Sequence, residues 1–189
     1  MSNILANYAN PDRCYHNFKH IGLMIDGLER HYYSQKDSYS YVSLKQAILY
    51  HDVIYDASRN DNEELSALAA TNDLKGFYPI QFVNEVHRLI LVTKHHQPAR
   101  SDISGQIITD LDLAGLASPN YINHSQQIRK EYSFATDEQW YYGRKAFLDS
   151  FLGRSNIFHT EVGLLRWEDD ARRNMNLELS YIEAKIAAL

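Results

Sequence analysis

This chain has few of the residues that break or staple a fold: one cysteine, four prolines and eight glycines in 189 positions. A lone Cys14 excludes a disulfide framework within the chain, and such sparse cysteine fits a reducing, cytoplasmic compartment. Few prolines and glycines leave long stretches without the usual helix punctuation. Basic excess is missing as well, because 19 Lys and Arg stand against 24 Asp and Glu, for a formal net charge of −5. With no block of like charge, that balance supplies no groove for a nucleic acid and no stripe for an anionic membrane surface. No window approaches the ~20 apolar residues of a bilayer span. The opening MSNILANYANPDRCYH lacks the basic start and apolar run of a signal peptide. Strand-like alternation, internal repeats and low-complexity tracts are absent too. The expectation is a soluble single domain, residues 1–189, since 44% hydrophobic residues over this length can bury a sizeable core.

What is present is helical spacing. Tyr15, Phe18, Ile21, Ile25, Leu28 and Tyr32 recur at three- and four-residue steps and predict a first helix. Ser43-Leu-Lys-Gln46 reads as a capping box opening a second, which carries Leu44, Ala47, Ile48, His51 and Tyr55 along one side. Asp61-Asn62 before Glu63-Glu64 predicts another start, where carboxylates meet the positive end of the helix dipole, and Gly76 its stop. Pro79 suits the first turn of a helix running to about His96. Further helices are expected around Ile107 to Leu116, from Asn120 to Tyr132, and from the capping box Thr136-Asp-Glu-Gln139 to Gly153. A long final helix should run from about Thr160 to the C-terminus. The fold class predicted is all-α, a helical bundle.

Against that background one pair is out of place. His51 and Asp52 end an apolar stretch, LKQAILYHD, and an ionised carboxylate buried without a partner costs several kcal/mol on the order of 3–5. His16 and His20 lie four apart, His95-His96 ends the fourth predicted helix, and Asp110 and Asp112 sit on the fifth. Imidazoles and carboxylates on several helices could converge on a divalent cation (Mn, Fe, Co, Ni, Zn or Mg), which would compensate Asp52. Each has a plainer alternative, as a satisfied core histidine, a helix-end carboxylate or an Arg-paired one.

The order His20, His51-Asp52, Asp112 resembles the HD superfamily of metal-dependent phosphohydrolases, and YHNFKH resembles the Tyr-His-Asn-x-x-His element of its cyclic-nucleotide phosphodiesterases. RCYHNFKH, YHDVIYDASRNDNEELSA, TKHH, TDLDLAGL, YGRKAFLDSFL and DDARRNMNLEL further resemble a group of small predicted HD phosphohydrolases, over nearly the whole chain. The resemblance implies a helical HD-type bundle whose metal is held by His20, His51, Asp52 and an Asp of TDLDL. Asp112, which precedes an apolar residue, is the choice there, with Asp110 supporting the site or the helix start. His16 matches the histidine that protonates the leaving group in the phosphodiesterases, or else hydrogen-bonds a ligand. Asp56, four after Asp52, could orient an attacking water. Asp61 and Glu63 could orient ligand histidines or simply cap a helix. Lys94, His96 (or His95) and Arg144 are candidates for binding phosphate, with Arg172 a further cation that could instead bridge to Glu168.

The function so implied is metal-dependent hydrolysis of a phosphate monoester or diester in a small phosphorylated substrate, plausibly a nucleotide. Two alternatives remain: an HD-type iron oxygenase, and a non-catalytic metal or nucleotide sensor. The oligomeric state stays open, a homodimer included.

Overall fold

The computed structural model describes residues 3–32 and 38–189. Among them the regular structure is all-α, ten α-helices and one 3₁₀ turn, with an isolated bridge between Lys75 and Tyr78 the only β pairing. No helix among the described residues is long and apolar enough to cross a membrane. Packing groups the chain into two compact units, Met1–Asp112 and Leu113–Leu189. The division falls inside a helix, so no linker or composition shift marks it.

The first unit contains α1 (Ile4–Tyr8), α2 (Phe18–His31), α3 (Tyr39–Tyr50), α4 (Asn62–Leu74), α5 (Ile80–Thr93) and α6 (Ile103–Leu113), the last running one residue past the division. α5 packs on α3 and α4, and α3 on α2, around Leu28, Leu44, Ile48, Val86, Leu89 and Ile90. Gly27 lets α2 approach α6, since a Cβ there would stand 2.7 Å from Leu111 Cδ2. Asp102 opens α6 by accepting from Gly105 N at 2.9 Å, and Arg88 of α5 grips the same carboxylate.

Two expected helix boundaries move. α2 starts at Phe18 because the Asn17 side chain takes the cap, accepting from Lys19 N, while its amide donates to Arg13 O and Cys14 O. Tyr15 and His16 therefore precede the helix. α3 begins at Tyr39, capped by Ser38, and Ser43 lies inside it with its hydroxyl donating to Ser40 O, so the capping box at Ser43 does not form. α3 also stops at Tyr50. Beyond it, side chains satisfy the backbone in place of a helix: Arg13 donates to Asp52 O and Val53 O, Ser66 bonds both N and O of Ile54, and Asn62 does the same for Asp56.

The second unit contains the 3₁₀ turn (Ala114–Ala117), α7 (Tyr121–Glu131), α8 (Asp137–Leu152), α9 (Glu161–Arg166) and α10 (Glu168–Ile186). α10 packs on α8 and on the 3₁₀ turn, around Leu148, Ile157, Phe158, Ala171 and Met175. The capping box at Thr136 and Gln139 forms as expected. The expected long last helix is broken at Trp167 instead. There Glu168 turns inward to accept from the backbone N–H groups of Ile157 and Phe158, with Arg172 paired to it at 2.7 Å.

Candidate metal centre

Four helix ends meet in the first unit. His20 comes from the first turn of α2, His51 and Asp52 from the residues just after α3, Asp112 from the last turn of α6, and His96 from the turn after α5. His20, His51 and Asp52 are buried, and a ligand atom from each lies within 4.8 Å of the others, a group that could hold a metal ion. Asp112 joins them: its Oδ1 is 3.0 Å from His20 Nε2 and 3.6 Å from His51 Nε2, and its Oδ2 is 2.9 Å from His96 Nε2.

His51 carries the decisive geometry. Its Nδ1 lies 2.9 Å from Ile48 O, and since a carbonyl only accepts, Nδ1 must hold the proton. The lone pair of the neutral ring is then on Nε2. That atom is wholly enclosed yet makes no hydrogen bond to any described residue, although Asp52 Oδ2 stands 3.1 Å away. Two carboxylates near a buried nitrogen, neither aligned to accept a hydrogen bond from it, is how ligands stand around a shared cation.

The electrostatics agree. Burial would lower the pKa of His51, but Asp52 and Asp112 outweigh it and hold the group well above the usual imidazole range. Burial would raise Asp52, yet His51, and then His16, pull its carboxyl down to about 2. Asp112 is likewise held well below the usual carboxylate range against its burial, by His20, His51 and His96. Both acids are therefore anions, and the cluster favours positive charge among its imidazoles. The donor set fits a divalent cation bound by nitrogen and oxygen.

The remaining sequence candidates divide. His16 stacks on Tyr55 with ring centroids 4.2 Å apart and lies 6.0 Å from His20, at the edge of the cluster. Asp110 is fully buried on α6. His96 turns toward Asp112, while His95 is exposed. Asp56 is not brought in: with α3 ended at Tyr50 it is no longer a helical turn from Asp52, and its exposed carboxylate accepts from Ser58 N and Oγ. Asp61 pairs with Arg59 at 2.7 and 2.8 Å rather than with a ligand histidine. Glu63 stands in the first turn of α4, where the dipole favours it. Lys94 is tied to Glu64 and to Asn60 O. Arg144 lies in the second unit, buried and bonded to Glu178 and to Tyr121 Oη.

Arg13 is the residue that spacing missed. Its guanidinium lies over the rings of Tyr8 and Tyr55 at 5.3 and 5.7 Å. Its bonds to Asp52 O at 2.6 Å and Val53 O at 3.1 Å fix the turn that presents His51 and Asp52. Asn62 and Ser66 clamp the same segment from α4. These partners lie far off in sequence, and only the place of Arg13 beside YHNFKH hinted at a role. Compared with family models, curated proteins and solved structures, the chain finds no match.

Proposed function

We propose that this chain is a metal-dependent hydrolase of phosphate esters, monoester or diester, acting on a small substrate such as a nucleotide. In this reading its likeness to the HD superfamily is a kinship of site. The observation that carries it is His51 Nε2, enclosed amid His20, Asp52 and Asp112 without a hydrogen bond, its ring held by Nδ1 on Ile48 O. Those four residues would hold the cation. When bound it supplies a more acidic water and a Lewis acid for a phosphoryl oxygen.

The chain supplies the rest. Ile48 O and Arg13 keep the ligand nitrogen and the carboxylate backbone from turning away. His16, held against Tyr55 just ahead of α2 and four residues before His20, is the group to protonate the departing alkoxide. Asp56, Lys94 and Arg144 drop out of this reading, because Ser58, Glu64 and Glu178 occupy their charged groups.

The test is elemental analysis of protein purified without a histidine tag or chelator. It is paired with phosphate release from a nucleotide panel and hydrolysis of bis-p-nitrophenyl phosphate. About one or two equivalents of transition metal, with turnover that a chelator abolishes, is the expected result. Bound metal without hydrolysis would favour the sensor or the oxygenase, and no metal under any loading condition would overturn the centre itself.

A further inference from the structure

His96 occupies a backbone conformation that few residues with a side chain take, histidine being among those that do so more readily. Its φ is +50°, and among the described residues it is the only non-glycine with a positive φ. In the left-handed region Cβ crowds the backbone, which is why glycine or asparagine usually takes this position just past a helix. The backbone bonds that end the helix need no imidazole. Lys94 N donates to Leu91 O, His96 N to Val92 O, and Thr93 Oγ1 to Ile90 O, all bonds available to a smaller residue or made by other ones.

What the side chain gains is Asp112. Nε2 of His96 lies 2.9 Å from Oδ2, and the opposite oxygen, Oδ1, faces His20 and His51. A carboxylate offers two equivalent oxygens and can turn about its last bond. Engaging one of them fixes which is left for a cation and in what direction.

We infer that His96 is a positioning residue: it holds Asp112 by Oδ2 so that Oδ1 alone is presented to the His20 and His51 nitrogens, and the chain accepts a left-handed histidine to do it. This rests on the metal-centre reading above, and it replaces a phosphate-binding role for His96. The residue acts through Asp112 and is not itself a ligand.

The experiment is Mn²⁺ binding by His96→Gly, His96→Ala and His96→Gln in the full chain, followed by calorimetry, by thermal melting of the metal-free protein, and by pulsed EPR that counts imidazole nitrogens on Mn²⁺. Glycine and alanine both lose the Asp112 contact, but only glycine accepts φ of +50° freely, so His96→Gly is expected to melt above His96→Ala. Its Mn²⁺ affinity should fall roughly 10- to 100-fold, the usual loss for a group that orients a ligand. The imidazole count should not change, and added imidazole should restore part of the affinity. His96→Gln, whose amide nitrogen reaches the position of Nε2 and can donate to Oδ2, should lose less affinity than His96→Gly.

Affinity within about twofold of the parent in His96→Gly would overturn the inference while leaving the metal centre standing. Loss of one bound imidazole would overturn it in favour of direct ligation. A glycine variant melting no higher than His96→Ala would overturn the claim that the backbone is strained on the side chain's behalf. A parent that takes up no Mn²⁺ overturns the metal-centre reading, and this inference with it.

Discussion

Each unit of this protein buries carboxylates, and the two compensate them differently. In the second, Glu178 receives Arg144 Nε at 3.1 Å and Nη2 at 3.0 Å, with the hydroxyls of Tyr121 and Ser125 also donating to it. A full, permanent positive charge and four donors leave that carboxylate nothing further to bind. In the first, Asp52 and Asp112 face His20, His51 and His96, which carry a full charge only when protonated, and one imidazole nitrogen is left without a hydrogen bond. Guanidinium closes a buried site, whereas imidazole leaves it open to a proton or a metal. The contrast separates a structural network from a candidate centre where burial alone would rank them together.

The largest effect should come from breaking the closed network. Arg144→Met strands Glu178 and is expected to cost about 3–5 kcal/mol in urea unfolding, most of it recovered in Arg144→Met/Glu178→Leu. If the single variant cost nothing, the network would not be what compensates Glu178. Next comes the open cluster: Mn²⁺ at 100-fold over its dissociation constant should stabilise the parent by about 2.7 kcal/mol. The same addition should do nothing for His51→Ala or Asp52→Ala, and its full effect should persist in the double variant of the closed network. Equal stabilisation of His51→Ala would place the metal elsewhere. Arg13→Met should cost about 1–3 kcal/mol, through the carbonyls of Asp52 and Val53 that it leaves without a donor, and weaken Mn²⁺ binding as well.

The pH dependence should separate the regions, since both have an acid limb and His51 gives the first an alkaline one as well. His51 has a raised folded pKa, so in metal-free protein its contribution is complete below the ordinary imidazole pKa and is lost as pH rises through the folded one. Glu178, lowered chiefly by Arg144 against its burial, contributes above the ordinary carboxylate range and is lost as pH falls through its folded pKa. Asp52 and Asp112 share that acid limb. Urea midpoints of metal-free parent and His51→Ala from pH 5 to 9 should therefore differ in slope on the alkaline side, and parallel curves would contradict the assignment. Smallest of all, Gly27→Ala should shift stability by less than about 0.5 kcal/mol, the gain in helix propensity offsetting the displaced Leu111 methyl.

Local signals were legible in the sequence. The Thr136 box and the Arg172–Glu168 pair depend on residues three or four apart, and both form; a helix also starts after Asp61, although the Asp61 side chain makes no cap bond. The order His20, His51-Asp52, Asp112 also named four side chains that do come together. Long-range partners were not legible. α3 ends at Tyr50 because Arg13, Asn62 and Ser66 claim the next carbonyls and amides, and periodicity does not report bonds across 39 residues. Asp56 was misplaced for that reason alone. Arg144 stood as a phosphate-binding candidate because its partner Glu178 lies 34 residues on. The left-handed backbone of His96 has no signature in the helical spacing, since histidine takes that conformation only occasionally.

The bond from His51 Nδ1 to Ile48 O spans only three residues. It belongs to the last turn of α3 and can close as soon as that helix forms, on the order of 0.1–1 μs. His20 and Asp112, by contrast, must meet across 92 residues of chain. The ring's tautomer is thus settled locally and early, and assembly of the cluster becomes the docking of two distant helices on an imidazole that already points the right way. Any slow phase in acquiring metal competence belongs to closing those long loops, not to moving a proton between ring nitrogens.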